Sequence, residues 1–150
     1  MDTLYEENAL KLDNQLCFPL YAASREVIKL YRPFLEPLDL TYTQYIAMMV
    51  FWEEETVSVK KLGKRLYLDS GTLTPVLKTL EKKGLLTRHR SGEDERVLKI
   101  CITEKGEALK EQAADIPLKM GACLKLSMEE AKELYTLLYK VLDLVVDEKA

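Results

Sequence analysis

Residues 68–86 read LDSGTLTPVLKTLEKKGLL, and this stretch decides how the rest of the chain is interpreted. Its apolar side chains recur at the spacing i, i+3, i+4 and i+7, the period of one buried helix face. Asp69-Ser70-Gly71 forms the turn into this helix, and Gly84 follows its last turn as a C-terminal glycine. The stretch predicts an amphipathic helix packed through Leu73, Val76, Leu77 and Leu80.

Pro75 is awkward in this helix because proline has no backbone N–H and its ring crowds the preceding turn. Two readings are open. Either Thr74 is the N-cap with Pro75 at the first helical position, or the helix starts earlier and loses one backbone bond in its second turn. In both, the face opposite the apolar stripe is small and polar, with Gly71, Thr74, Pro75, Lys78 and Lys82.

The segments on either side complete the order helix, short helix, turn, helix and basic hairpin. Residues 44–52 are almost entirely apolar and predict a buried helix, with Met48 and Met49 as core side chains. Ser58 caps a short helix. Residues 85–90 and 96–102 predict two strands around the polar turn 91–95. This is the order of a winged helix-turn-helix, which reads the major groove with a helix and reaches the minor groove with a hairpin. The alternative is a helix pair and hairpin that only pack internally.

Longer helices are predicted at both ends. From about Leu16 to Leu35, one helix face carries Cys17, Tyr21, Ser24, Ile28 and Tyr31. Thr103 starts a fifth helix, which Pro117 and Gly121 interrupt, and Ser127 with Glu130 forms a capping box for a sixth that runs to about Val146. The predicted fold is mainly α with a small β-hairpin wing.

Composition excludes several classes of protein. The chain has 150 residues, 47% of them hydrophobic, and a net charge of -3, which fits one compact domain rather than a disordered chain. It has no apolar run of the roughly 20 residues that span a bilayer. Three scattered cysteines do not make a disulfide scaffold. Because they have no ligand spacing and His89 is the only histidine, we expect no metal site. We also expect no cofactor. We expect a cytoplasmic protein without membrane partners.

Charge is distributed unevenly. Residues 58–105 carry 12 Lys/Arg and 6 Asp/Glu, a balance of +6 that leaves -9 for the remainder. A basic block in an acidic chain indicates a surface for phosphates. A solvated, charge-rich surface is the alternative.

The segments 68–75 (LDSGTLTP), 80–86 (LEKKGLL), 94–96 (DER) and 102–106 (ITEKG) resemble the recognition helix and wing of the MarR family. The resemblance covers the whole chain, 1–150, and implies a dimeric winged helix-turn-helix transcription factor on a pseudo-palindromic operator in double-stranded DNA. It implies dimerisation helices in 13–40 and 104–150 and a DNA-binding region in 43–103. Asp94 would brace Arg96 at the wing. The candidate DNA-binding residues are Ser70, Thr72, Thr74, Pro75, Lys78, Arg88, Arg90, Asp94 and Arg96.

Three further segments, 12–18 (LDNQLCF), 30–33 (LYRP) and 40–45 (LTYTQY), are similar to the organic-hydroperoxide-sensing OhrR branch of that family. In that branch, the cysteine matching Cys17 reacts with the peroxide and tyrosines matching Tyr31 and Tyr42 hydrogen-bond it. The position of Tyr21 also carries a tyrosine. The resemblance implies a repressor, not an enzyme, that releases its operator when this cysteine is oxidised.

Residue chemistry fits such a sensor. Oxidation requires a thiolate, which helix N-termini and hydroxyl donors favour, and Cys17 lies near the start of its helix. A buried, inert cysteine is the alternative. Tyr31 follows 14 residues later, about 21 Å along a continuous helix. It can therefore meet only the Cys17 of an antiparallel partner, so a sensor that uses both residues is a homodimer.

Cys123 is a second candidate thiol. In two-cysteine members of the branch, a cysteine in the C-terminal region captures the sulfenic acid as an intersubunit disulfide. Cys123 lies close to that region, and a surface thiol without a role is the alternative. If Cys123 does not react, a low-molecular-weight thiol would cap the oxidised Cys17.

Two other functions compete with this one. A MarR-type repressor could be released by a phenolic or other aromatic ligand bound among Tyr21, Phe34, Tyr42, Tyr45 and Trp52, which would equally form a dimer core. A thiol peroxidase could use Cys17 as nucleophile and Cys123 as resolving thiol. Such an enzyme would have no use for the basic helix and hairpin.

Overall fold

The computed structural model describes residues 8–90, 92 and 97–147. They form seven α-helices and three strands: α1 Cys17–Leu35, α2 Tyr42–Glu54, β1 Thr56–Ser58, α3 Val59–Leu66, α4 Ser70–Lys82, β2 Leu86–Arg90, β3 Leu98–Ile102, α5 Glu104–Ala113, α6 Ile116–Leu124 and α7 Met128–Asp147. Short 3-10 helices lie at Leu12–Asn14 and Glu36–Leu38. The chain divides into two compact units, one up to Ile116 and one from Pro117 onward.

Local capping fixes where most helices begin. Thr41 caps α2 through a capping box with Gln44, so the helix begins at Tyr42, two residues before its predicted start. The Ser58 and Thr103 side chains cap α3 and α5, as predicted. In the second unit, the Ser127 N–H donates to Glu130 and the Glu130 N–H donates back to the Ser127 hydroxyl, so the predicted capping box of α7 is confirmed.

The start of α4 resolves the two readings of Pro75. The Asp69 carboxylate accepts a hydrogen bond of 2.8 Å from the Thr72 N–H and is the N-cap. Pro75 therefore lies in the second turn, and the reading with Thr74 as N-cap is wrong. At the other end, the Leu85 N–H bonds to the Leu80 carbonyl and Gly84 adopts φ 74°, the left-handed conformation that glycine adopts without strain.

A close approach between α3 and α4 sets the angle of the helix-turn-helix. A Cβ atom on Gly63 would lie 2.6 Å from the Leu68 carbonyl oxygen and 3.3 Å from the Leu73 side chain. Tyr67, in the turn, has φ 55°. The inner faces of both helices are fully buried at Leu62, Leu73 and Leu80, which anchors the exposed face of α4 on a rigid core.

The sheet has one strand more than the predicted hairpin. Its order is β1-β3-β2, and both pairings are antiparallel. β1 has only three residues and pairs with β3 across 45 positions of sequence, with Thr56 opposite Cys101. Three residues are too few to show the alternation of apolar and polar side chains from which a strand is predicted.

The core centres on α2, where Ala47, Met48 and Phe51 are fully buried. Two details of the sequence prediction are wrong. Met49 is 38% exposed because it lies on the outer side of α2. Gly121 does not interrupt a helix but lies inside α6, while Pro117 stands in that helix's first turn, where its missing N–H costs nothing.

Both terminal helices leave apolar side chains exposed. On α1 these are Phe18, Leu20, Tyr21, Ile28 and Leu30. On α7, in the second unit, they are Met128, Leu134, Tyr135, Leu137, Leu138, Tyr139, Val141, Leu144, Val145 and Val146. Exposed apolar surface on this scale is typical of an association surface. Within the described ranges, no helix is long and apolar enough to cross a membrane.

Candidate functional site

Three tyrosines from α1 and α2 form a cluster at the C-terminal end of α1. The ring centroids of Tyr31 and Tyr42 are 4.8 Å apart, and Tyr45 lies 5.9 Å from Tyr31 and 6.5 Å from Tyr42. Burial raises the pKa of all three hydroxyls above the usual tyrosine value. They therefore remain protonated at neutral pH and can donate hydrogen bonds to an anionic acceptor.

Cys17 lies at the opposite end of the same helix. It is the first residue of α1 and is exposed. Because α1 is continuous from Cys17 to Leu35, the 14 residues between Cys17 and Tyr31 correspond to about 21 Å. One chain therefore does not bring its own Cys17 to Tyr31.

Tyr21, the remaining predicted tyrosine, lies one turn after Cys17 and is paired with Arg25. The Arg25 guanidinium donates a hydrogen bond of 2.9 Å to the Tyr21 hydroxyl, and its central carbon lies 5.4 Å from the centre of the ring. A hydroxyl that accepts from arginine keeps its own proton free for another acceptor. Sequence reasoning did not identify Arg25, because only the folded helix shows which i+4 neighbour turns towards the tyrosine.

The tyrosine cluster continues into the start of α5. Tyr45 meets Trp52 edge-on at 6.3 Å, and the Trp52 indole donates a hydrogen bond of 2.9 Å to the Gly106 carbonyl. Lys110 in turn donates to the Trp52 carbonyl at 3.1 Å. The predicted sensor tyrosines are thus packed in one continuous set with the helix that follows the wing. From sequence, Tyr45 and Trp52 were candidates for a ligand pocket or for a dimer core.

The other two cysteines differ in their surroundings. Cys101 is half-buried in β3, and its sulfur accepts a contact of 3.3 Å from the Thr56 hydroxyl. Cys123 is exposed near the end of α6, in the second unit. Among the described residues, no three His, Cys, Asp or Glu side chains are grouped as metal ligands.

A cleft of about 450 Å³ lies beside the tyrosine cluster, between the end of α1 and the start of α2. Its lining includes Ile28, Arg32, Leu40, Tyr42 and Lys83. Of the five aromatic residues proposed for a ligand pocket, only Tyr42 lines this cleft. Tyr45 and Trp52 are instead packed within the aromatic set described above.

The candidate nucleic-acid interface begins with α4, whose predicted polar face is exposed. Ser70, Thr72, Thr74, Pro75 and Lys78 all lie on the surface. The Thr74 hydroxyl donates to the Ser70 carbonyl at 2.7 Å, which leaves its oxygen lone pairs available to a donor. Within the described part of the chain, Lys78 takes part in no ion pair.

Asp69 modifies the expected role of the α4 N-terminus. Its carboxylate takes the Thr72 N–H, and this bond holds the pKa of Asp69 below its usual range. A phosphate at the start of α4 would therefore meet a negative charge rather than a free backbone donor. The exposed hydroxyls of Ser70 and Thr72 remain the groups for such a contact.

Fewer cations of the basic block are available for phosphates than the sequence suggests, because several of them form ion pairs with carboxylates of the same chain. These are Lys61, Arg65, Lys83 and Arg88, with partners on α2, on α4 or in the loop before α2. Arg90 is exposed at the end of β2, and the His89 ring contacts the Thr87 hydroxyl at 3.0 Å. Asp94 and Arg96 lie outside the described residues.

When the folded protein is titrated with alkali, we expect the three clustered tyrosines to ionise at a higher pH than the other tyrosines. Their raised pKa values mean that the unfolded chain ionises first, at the usual value of about 10. The folding stability should therefore fall as the pH rises above that value. Absorbance at 295 nm should show a group of the eight tyrosines ionising later than the rest. Simultaneous ionisation of all eight in the folded protein would contradict the burial of this cluster.

Comparison with known proteins places the chain among bacterial regulators. A family model described as transcriptional regulator SarA/Rot matches residues 29–113. The organic hydroperoxide resistance transcriptional regulator of Bacillus subtilis is 54% identical over 134 residues, which are 89% of this chain and 91% of that protein. The regulator SarZ of Staphylococcus aureus is 47% identical over 131 residues, 87% of this chain and 88% of SarZ. The solved structure of reduced AbfR bound to DNA, a Staphylococcus epidermidis protein, superposes with a TM-score of 0.76 at 33% identity and covers 94% of this chain and 99% of AbfR.

A helix pair held at a fixed angle by Gly63, followed by a small sheet with a basic hairpin, defines the class as a winged helix-turn-helix transcriptional regulator. The relatives then identify the family within this class. The chain belongs to the MarR family of these regulators, in the branch that includes the organic hydroperoxide resistance regulator of Bacillus subtilis.

Proposed function

We propose that this protein is a dimeric, cytoplasmic repressor that binds a pseudo-palindromic DNA operator while Cys17 is reduced and releases it when an organic hydroperoxide oxidises Cys17. One observation carries the proposal. Cys17 and the three-tyrosine cluster occupy opposite ends of one continuous helix. An antiparallel pair of such helices, crossing near Ser24, would bring each cysteine to the partner's tyrosines.

The exposed apolar surface of the terminal helices supports such a dimer. The apolar side chains of α1 include members of the face that carries Cys17, and α7 exposes a row of leucine, valine and tyrosine side chains. Two chains that cover these surfaces would bury apolar area that each chain alone leaves in water.

In the sensing step, the Cys17 thiolate would attack the terminal oxygen of the hydroperoxide. A sulfur–oxygen bond forms, the oxygen–oxygen bond breaks, and the departing alkoxide takes up a proton and leaves as the alcohol. The product is a sulfenic acid. The protonated hydroxyls of Tyr31 and Tyr42 are suited to hydrogen-bond the thiolate before the reaction and the leaving oxygen during it.

The sulfenic acid would then condense with a second thiol and lose water. Cys123 is exposed and chemically able to serve, as is a low-molecular-weight thiol. Either product adds bulk beside the partner's tyrosines, and these pack against α2 and, through Trp52, against the start of α5. Two recognition helices must stand about 34–36 Å apart to occupy successive half-sites, so a rigid-body shift of the subunits lowers DNA affinity.

The test is direct. An operator is selected from random duplexes with the reduced protein, and its binding is then measured with and without cumene hydroperoxide. We expect selection of a two-fold symmetric sequence and loss of binding on oxidation, reversed by a thiol reductant. Failure to select any duplex would overturn the proposal. We also expect no sustained consumption of peroxide in the presence of reductant, and multiple turnovers would favour the peroxidase alternative.

Lys78 tests the proposed groove face of α4. Lys78→Ala should weaken binding to all duplexes by a similar factor and reduce the slope of log affinity against log salt by about 1, because one phosphate contact is lost. Lys140→Ala, an exposed lysine on α7, is the matched control and should leave the slope unchanged. Equal slopes for both variants would remove Lys78 from the interface.

A further inference from the structure

An ion pair joins the last turn of the recognition helix to the first strand of the wing. The Arg88 Nε lies 2.9 Å from the Glu81 Oε2, with the Arg88 side chain 26% exposed and that of Glu81 41% exposed. The Nε–H bond is not aimed at the carboxylate oxygen, so the contact is a charge pair rather than a directed hydrogen bond. Glu81 lies on α4 and Arg88 on β2, so the pair links the two elements that are expected to enter neighbouring grooves.

The Arg88 guanidinium is turned towards the protein. Along β2, Leu86, Arg88 and Arg90 share one side of the strand because side chains alternate. Leu86 is 1% exposed on this side, and Arg90 reaches the surface. The Arg88 Nε and Nη2 atoms are shielded from solvent and donate no hydrogen bond to any described residue. Phosphate contact through these nitrogens would require the side chain to leave Glu81 first.

We propose that Glu81 and Arg88 are positioning residues that hold the wing at a fixed angle to the recognition helix, and that Arg88 is not itself a DNA contact. This inference rests on the proposed DNA-binding function. The hairpin follows α4 after the short segment 83–85 and is anchored there by the buried Leu85 and Leu86, so its outer part could otherwise bend relative to the helix. The ion pair ties its first strand to the helix, so that the groove contacts of the helix and the wing are offered together.

Substitutions that remove one charge at a time distinguish a positioning role of Arg88 from a direct phosphate contact. If Arg88 bound a phosphate, Arg88→Gln would lower the salt slope by about 1. Glu81→Gln would then leave binding unchanged or strengthen it, because it removes a negative charge near DNA. If the pair instead positions the wing, Glu81→Gln should weaken operator binding. Both variants lose operator affinity, the salt slope stays constant, and the double variant is no worse than either single variant because both break one interaction.

The experiment measures operator affinity and salt slope for Glu81→Gln, Arg88→Gln and the double variant, with Arg90→Gln as the matched exposed arginine on the same strand. We expect each single variant to lose about threefold to tenfold in operator affinity, with little change on unrelated DNA. Arg90→Gln should instead lower the slope. A lowered slope for Arg88→Gln combined with unchanged or tighter binding by Glu81→Gln would overturn the proposal, as would wild-type affinity in both variants.

A second measurement needs no DNA, so it separates failure of this inference from failure of the proposed function. Hydrogen exchange of peptides covering 86–90 is followed in the free protein. We expect faster exchange in Glu81→Gln and Arg88→Gln than in the wild type, while α2 stays protected. Unchanged exchange in both variants would mean that the pair does not restrain the wing, even if the wild type binds its operator.

Discussion

Cys17→Ser is expected to stay bound to the operator at hydroperoxide concentrations that release the wild type. The wild type should lose about 5-fold to 150-fold in affinity on oxidation, the usual range of coupling between two sites. Serine is close to cysteine in shape but offers no sulfur to oxidise. Because Cys17 is exposed at the first position of α1, the substitution should leave the reduced-state affinity close to that of the wild type. Titration of an operator duplex by fluorescence anisotropy measures both quantities.

Cys123→Ser is the control for the fate of the oxidised thiol. If Cys123 resolves the sulfenic acid, this variant should still react but form no intersubunit disulfide on a non-reducing gel. If a low-molecular-weight thiol caps Cys17, mass spectrometry should find the adduct in both the wild type and Cys123→Ser. Release that persists in Cys17→Ser would contradict the redox mechanism, and the cleft between α1 and α2 would then become the candidate site for a ligand.

Mixed dimers test the composite site more sharply. One subunit carries Cys17→Ser with its tyrosines intact, and the other keeps Cys17 but carries Tyr31→Phe and Tyr42→Phe. If the site forms between subunits, this mixed dimer has one complete site, while a dimer of the double tyrosine variant has none. We expect rapid oxidation of Cys17 in the mixed dimer and slow oxidation in the double-variant homodimer. Equal rates would show that the partner's tyrosines do not assist the cysteine.

The parts of the fold that could be predicted from sequence are those set by local chemistry. Ser58, Thr103 and Ser127 cap helices where they were expected to, because a capping hydroxyl acts on residues two or three positions away. Gly84 ends α4 for an equally local reason. The choice between Asp69 and Thr74 as N-cap remained open because both side chains suit the role and a proline stands beside the second.

What could not be predicted depends on contacts between distant segments. β1 exists because residues 56–58 pair with β3, and three residues carry no period of their own. The Arg88–Glu81 ion pair could not be predicted, because it depends on how α4 and β2 are placed relative to each other. The cluster of Tyr31, Tyr42 and Tyr45 likewise depends on how α1 packs against α2. Family resemblance had singled out Tyr31 and Tyr42, whereas Tyr45 was considered only for a ligand pocket or a dimer core.

Gly106→Ala is expected to destabilise the protein strongly, although alanine is the better helix former. Gly106 lies in the first turn of α5, and a Cβ atom there would overlap the Leu85 carbonyl oxygen and lie 2.8 Å from the Ile102 side chain. The Leu85 oxygen cannot yield easily, because it accepts the Thr103 N–H at 3.1 Å where the wing passes into α5. Overpacking of this kind costs about 1–3 kcal/mol, which for a chain of this size lowers Tm by about 2–12 °C.

Gly121→Ala is the matched control, because it makes the same chemical change inside a helix with nothing within 4 Å of the added Cβ. It should raise the free energy of unfolding by about 0.5–1 kcal/mol through helix propensity alone. We therefore expect calorimetry to show Tm shifts of opposite sign for the two variants. The single tryptophan adds a local readout, since the Trp52 indole bonds to the Gly106 carbonyl and its emission should change only in Gly106→Ala. Equal stabilisation of both variants would mean that Leu85 moves aside freely, and the wing would then not be held at the start of α5 by close packing.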